Sequence, residues 1–429
     1  MTNRICIIDG VRTPMSKAGM TLKDTTADEL AVYAVRHLVK KTGIDPTVIS
    51  ELIMGNVSMP IEAANIARVI ALKADLPIEL PAYTVQRNCA SGMESVISGA
   101  GKIMLDDNAV IIAGGVESMS NIPLIVGRQL TERLASLSRQ KTFKGKAKEI
   151  MGIRVKELKP IIGLLKGLTD PVTGLIMGET AELLARKFGI SREEQDEFAL
   201  RSHQKAAFAQ EHGHFNEEIV SVPVKPDYEQ FLCEDEGIRV DQNMEDLRKL
   251  RPYFDRVDGT VTIGNSCSIT DGAAVVLMMS ERKANELGLP ILGYVNAHAY
   301  AALPPDIMGL GPVFATNKML ANSNRVMADY DLVEINEAFA AQVIANERAF
   351  ESVAFAKEYL SREEPLGKID REKLNVNGGA IALGHPVGMS GTRLILHVLK
   401  ELKRRDQKLG LATLCVGGGQ GFAVELEVV

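Results

Sequence analysis

Cysteine is scarce in this 429-residue chain. The five thiols, Cys6, Cys89, Cys233, Cys267 and Cys415, lie far apart. They form neither a disulfide framework nor a C-x-x-C pair, so no stapled secreted scaffold and no metal site is expected. No apolar run reaches the ~18 residues that a bilayer span needs. The opening "MTNRICIIDGVRTP" lacks the charged and apolar blocks of a secretory signal and the Arg/Ser richness of a transit peptide. No glycine run has the phosphate-loop spacing, and "GGGQG" precedes a strand rather than a helix, which argues against a dinucleotide fingerprint. Positive charge is not in excess: the formal charge is -6, giving no reason to expect nucleic-acid binding. These absences predict a chain that starts near Met1 and works in a reducing, cytoplasmic compartment.

Hydrophobic residues make up 46% and charged residues 24%, ordinary for a globular protein with a large core. Strand-like and helix-like segments alternate. "RICIIDGV", "ELIMGNV", "PAYTVQR" and "NAVIIAGGVES" read as strands. "TADELAVYAVRHLVKKTG" has helical spacing between a Thr and a Gly, and "SGMESVISGAGKIMLDD" is helical too. The second half repeats this grammar, from "PILGYVNAHAY" through "DLVEINEAFA" and the basic-ended helix "GMSGTRLILHVLKELKRR" to two strands in "GLATLCVGGGQGFAVELEVV". An α/β layered fold of two similar halves follows. The first half covers 1–120 and continues at about 251–288, the second covers 289–429, and an insertion occupies 121–250.

Part of that insertion differs in composition. Between Arg133 and Lys166 there are ten Lys/Arg and two acids, Glu149 and Glu157. This segment carries +8, so the rest of the chain carries −14. One reading is a solvated helical lid with snorkelling lysines. The other is a basic amphipathic element, with "IIGLLKGL" as its apolar stripe, that meets an anionic membrane surface or a partner. The same charges also suit an anionic substrate.

The stretch "QRNCASGMES" places Cys89 between a strand and a run of small residues. An isolated cysteine is more often a small buried hydrophobe. On the first turn of a helix, however, free N–H groups and the dipole stabilise a thiolate and can draw a thiol pKa from ~8.5 toward neutrality. In "NVNGGAIALGHPVGMSGTR", His385 sits on a glycine-rich loop before a helix, a natural base for a thiol. Cys415 runs from a strand into three glycines whose N–H groups suit either a hairpin or an oxyanion. Asn336, after the strand "DLV", is either a helix cap or an amide that fixes a water or a carbonyl.

Together "NCASGMES", "NEAFAAQ", "NGGAIALGHPVGMSG" and "CVGGGQG" resemble the thiolase family, as do "DGVRTP", "MGETAE" and "GNSCSITDGAA". The resemblance spans nearly the whole chain. It implies an α/β fold, the duplicated five-layer α-β-α-β-α thiolase fold with an inserted loop domain. It also implies CoA-dependent cleavage of 3-ketoacyl-CoA in fatty-acid β-oxidation, with coenzyme A as co-substrate and no permanently bound cofactor. Carried over residue by residue, Cys89 is the acylated nucleophile, His385 its base and Cys415 the acid/base at the α-carbon. Asn336 holds a water that forms one oxyanion hole with His385, and the amides of Cys89 and Gly417 form the other. Met177, Cys267, Ala338 and Phe339 are expected at the CoA-binding pocket. Two departures stand out. Ile176 precedes Met177 where the family often has His, which suggests a more apolar entry. Cys267 replaces a usual Ser, and a thiol is the poorer hydrogen-bond partner.

The basic insertion resembles the extended loop of thiolase subunits in β-oxidation trifunctional complexes. That implies acyl-CoA substrates, a homo-oligomer, a hydratase/dehydrogenase partner subunit and peripheral contact with the inner membrane through 133–166. The alternatives are synthesis of acetoacetyl-CoA from two acetyl-CoA and, in a different class, a silent acyl-CoA or lipid-binding scaffold.

Overall fold

A computed structural model describes residues 4–429; the expected chain start at Met1 lies outside the described residues. Strands β1 (Ile5–Arg12), β2 (Glu51–Gly55), β3 (Ala82–Val85), β4 (Val110–Ser118) and β5 (Thr270–Ser280) belong to the first half. Strands β6 (Gly293–Ala302), β7 (Leu332–Ile335), β8 (Leu409–Val416) and β9 (Gln420–Glu427) belong to the second. They run in the order β7-β8-β9-β6-β1-β5-β4-β2-β3.

The order is one unit used twice. β2 is parallel to β4 as β7 is to β8; β4 is antiparallel to β5 as β8 is to β9; and each unit's first strand pairs antiparallel with its last. The units meet where Cys6 and Ile7 of β1 pair with Tyr294 and Gly293 of β6.

The helices of eight or more residues are α1 (Ala27–Thr42), α2 (Ile66–Lys73), α3 (Ser91–Leu105), α4 (Arg128–Arg139), α5 (Phe143–Met151), α6 (Met177–Lys187), α7 (Arg192–Glu211), α8 (Gly311–Ser323), α9 (Ala340–Glu351) and α10 (Ser390–Arg405). The expected start and stop of α1 are present. The Thr26 amide donates to Glu29 Oε2 at 2.9 Å, and Gly43 ends the helix at φ 65°.

The apolar faces define five layers. Leu30, Val35 and Ile70 of α1 and α2 pack on Leu52, Ile112 and Val275. Val96 and Ile103 of α3, with Leu394 and Val398 of α10, fill the middle between Ile111 and Val276 on one side and Leu414 and Val424 on the other. Val313 and Met319 of α8 and Val343 of α9 cover the far side with Leu411. The two middle helices approach so closely that a Cβ on Gly92 would lie 2.7 Å from Thr392 Oγ1, and one on Gly391 would lie 2.4 Å from the Met93 amide.

The basic segment lies outside these layers. Leu124–Ile125 pairs antiparallel with Ile161–Ile162, and α4 and α5, between them, have no buried residue. Both acids of the segment are engaged within it: Glu157 receives Arg133 at 2.6 Å and Glu149 accepts from Ser136 at 2.8 Å. Among the described residues no helix is long and apolar enough to cross a membrane.

Candidate active site

The N-termini of α3 and α10, one from each half, deliver two of the expected site segments to the middle of the molecule. Helix α3 begins at Ser91 with Ala90 as its cap, so Cys89 stands one residue before the cap rather than on the first turn. Asn88 holds a left-handed backbone (φ 43°), and its Nδ2 donates to the Gly417 carbonyl at 2.7 Å. This ties the nucleophile segment to the β8–β9 hairpin. The Gly417 N–H faces the Cys89 sulfur and favours the thiolate, but burial outweighs it and pushes the thiol up, with the Glu117 charge adding to the rise. The expected drop toward neutrality is therefore corrected: desolvation exceeds what the amide and helix end supply, and Cys89 rests as a thiol.

His385 is nearly fully buried on the Gly384–Met389 loop. Its amide donates to Thr270 Oγ1 at 3.2 Å, and its Nδ1 lies 2.5 Å from Ser390 Oγ. Ser390 donates its single hydrogen to the Pro386 carbonyl at 3.0 Å. It therefore accepts from Nδ1–H, which leaves the Nε2 lone pair as the basic one. Burial, then the Arg393 charge, lower the His385 pKa to about 4, so the ring is neutral at neutral pH. Asn336 Nδ2 is 3.4 Å from Nε2. Asn336 does not cap α9, whose cap is Phe339. Its buried Oδ1 finds no partner among the described residues.

Cys415, at the end of β8, is buried and its thiol is pushed far up, by desolvation first and then by the charges that Cys89 and Cys267 would carry. Cys267 is pushed to about 12 by burial, with Cys89 a lesser cause. The three sulfurs thus lie within electrostatic reach of one another, and the imidazole and the Asn336 amide form a separate contact. The glycine run after Cys415 is also a hairpin turn: Gly418 and Gly419 have φ of 88° and 79°.

A cavity of about 390 Å³ opens at Cys89 and is also lined by Met177, Gly417, Met119, Val57 and Val387. Residues 163–172 roof it, bringing Leu164, Leu168 and Val172 with Lys166 and Asp170. Ala338 and Phe339 do not line this cavity; they are buried and pair with the 265–267 segment, the Cys267 amide donating to the Ala338 carbonyl at 3.0 Å. Cys267 likewise stands behind the wall rather than in it. Sequence reasoning read "IIGLLKGL" as the apolar stripe of a surface element and so missed that it lines this cavity. It also missed Ser390, although that residue lies inside the quoted "GMSG".

Comparisons with known proteins cover the whole chain. The thiolase N-terminal domain model matches residues 5–282 and the thiolase C-terminal domain model residues 289–428. A 3-ketoacyl-CoA thiolase of Pectobacterium atrosepticum is 43% identical over 427 residues, covering 99% of this chain and 97% of its own. Another from Yersinia enterocolitica is 41% identical over 429 residues, with the same coverage. Among solved structures, Bacillus anthracis acetyl-CoA acetyltransferase superposes with a TM-score of 0.88 at 38% identity, over 100% of this chain and 99% of that one. Human mitochondrial 3-ketoacyl-CoA thiolase in complex with CoA gives 0.86 at 35%, over 100% and 98%. With both domain models matched in order and relatives alike from end to end, the chain belongs to the thiolase family.

Proposed function

We propose that this chain cleaves 3-ketoacyl-CoA with coenzyme A, giving acetyl-CoA and an acyl-CoA two carbons shorter. The coupling of Cys89 with Cys415 and the contact of His385 with Asn336 carry the reading. His385 Nε2 takes the Cys89 proton as the sulfur attacks the 3-keto carbon. The C2–C3 bond breaks, and the electron pair leaves as the enolate of acetyl-CoA. Cys415 protonates the enolate carbon. Its high pKa keeps it protonated until so basic a carbon appears. The incoming CoA thiol returns a proton to Cys415 and attacks the acyl-cysteine, and His385 reprotonates the departing Cys89 sulfur. The Cys89 and Gly417 amides are placed for one oxyanion, and the Asn336–His385 pair, through a water, for the other, with each donor worth roughly 3 kcal/mol.

Cys89→Ser should lower thiolysis on the order of 10³-fold or more; turnover near the parent rate would end the reading. The relatives named 3-ketoacyl-CoA thiolase and the leucines of the roof favour substrates longer than four carbons over acetoacetyl-CoA synthesis. A series of ketoacyl-CoAs decides, and strict preference for the four-carbon member favours synthesis.

Peripheral attachment to an anionic membrane through 133–166 is part of the same proposal, beside a homo-oligomer and a hydratase/dehydrogenase partner. Its support is that both acids of the segment are already engaged while Phe143, Met151 and Val155 stand exposed beside eight or more cations. Phosphatidylglycerol vesicles should co-sediment the protein at low salt and release it at high salt. Equal binding to neutral vesicles, or by a variant with Lys141, Lys144, Lys146 and Lys148 changed to Glu, overturns the assignment.

A further inference from the structure

Glu117, at the end of β4, is fully buried, and the thiolysis chemistry gives it no proton to move. Its carboxylate nevertheless receives four N–H donors. Oε1 accepts from the Ser58 amide at 2.9 Å and Asn56 Nδ2 at 3.3 Å; Oε2 accepts from the Val57 amide at 3.1 Å and the Gly388 amide at 3.0 Å. These donors come from two walls of the site. Val57 and Ser58 line the cavity in front of Cys89, as does Val387, and His385 stands three residues before Gly388. The contact has no slack: a Cβ on Gly388 would lie 2.8 Å from Glu117 Oε2, and one on Gly115 would lie 2.0 Å from the Gly388 carbonyl.

We propose that Glu117 is a positioning residue for thiolysis, its carboxylate fixing the Val57–Ser58 wall of the cavity to the loop that carries His385. A buried charge is retained only where hydrogen bonds satisfy it, and here each oxygen meets two donors. Burial lifts the Glu117 pKa to about 7 against the pull of those donors. A proton on either oxygen would face N–H groups, with the Ser58 hydroxyl as its acceptor, so the geometry serves the carboxylate better than the acid. The same charge adds to the burial that holds Cys89 as a thiol until His385 acts.

The inference rests on the thiolysis reading only for its turnover arm. Glu117→Gln keeps the shape but turns an NH2 toward backbone donors; Glu117→Asp keeps the charge but withdraws it from Gly388. For each, the folded state is checked by circular dichroism, kcat and KM are measured, and the pH midpoint of iodoacetamide alkylation is followed on the Cys89 peptide. The titratable groups that act on that sulfur are Glu117, Cys267 and Cys415. Both variants should lose roughly ten-fold or more in kcat with KM little changed. The alkylation midpoint should fall in Gln and stay in Asp. A folded variant with kcat within about two-fold of the parent overturns the proposal, as does an unmoved midpoint in Gln, and so does failure of both variants to fold, which marks a purely structural carboxylate. A parent without thiolysis activity sinks the reaction reading instead, and the alkylation arm still decides whether Glu117 acts on Cys89.

Discussion

Ser390 settles which nitrogen of His385 is the base, because its single hydrogen is already directed at the Pro386 carbonyl. Ser390→Ala should therefore leave the ring free to adopt the other tautomer and lower kcat about ten-fold with little change in KM; an unchanged kcat would show that packing alone orients the ring. The buried imidazole has a second consequence. Its pKa, lowered to about 4, sits below the ~6.5 of the unfolded chain. The acid limb of kcat/KM should thus lie near pH 4 to 5, and a limb near 6.5 would contradict the burial argument. The linkage sign is the reverse of a paired histidine's. Between about 6.5 and 4 the unfolded state binds a proton that the native site refuses, so His385 erodes stability as the pH falls through that window. Cys89, His385, Asn336 and Cys415 were legible as candidates because residue type and flanking glycines single them out. Glu117 was not, since "VIIAGGVES" reads only as a strand with a polar end, and its four donors come from residues 56–58 and 388. The Cys89 environment was misjudged because the dipole is visible in sequence and desolvation is not.

Elements were read more securely than their ends. The period-2 and period-3.6 patterns marked most strands and helices of the two layered units, though β5, α2 and α8 went unread, and the Thr26 and Gly43 signals bounded α1. Helix α3 begins at Ser91, where "SGMESVISGAGKIMLDD" begins, so Cys89 precedes its first turn, just after an Asn88 whose positive φ no local signal announced. The histidine loop depends on strand β4 beneath it. Gly115→Ala would place a methyl 2.0 Å from the Gly388 carbonyl, so the loop must lift. Overpacking of this kind costs ~1–3 kcal/mol, and the displaced imidazole should cost on the order of 10²-fold in activity. Thermal melting and thiolysis together test this; an alanine variant with parental kcat would mean that the loop yields without moving His385.

At the scale of the molecule, the duplication was legible as repeated grammar, but the shared middle was not, since nothing local shows that α3 and α10 pack on each other. That layer draws Val96 and Ile103 from one half and Leu394, Leu396 and Leu399 from the other. Neither half can bury it alone. Residues 1–288 expressed without 289–429 should be insoluble or molten, whereas a folded, soluble fragment would show that the halves are independent. Leu399→Ala, fully buried at this seam, should cost ~2–5 kcal/mol and shift one common transition rather than split it. The seam also divides the chemistry. On the proposed mechanism, the attacking sulfur of Cys89 belongs to the first half, while its proton acceptor His385 and the second thiol, Cys415, belong to the other. A slip of a single ångström between the two bodies would leave both interiors packed and still part the reacting atoms. On gentle heating, catalysis should fade several degrees before the backbone melts, the silence of a lock whose two plates have drifted out of register.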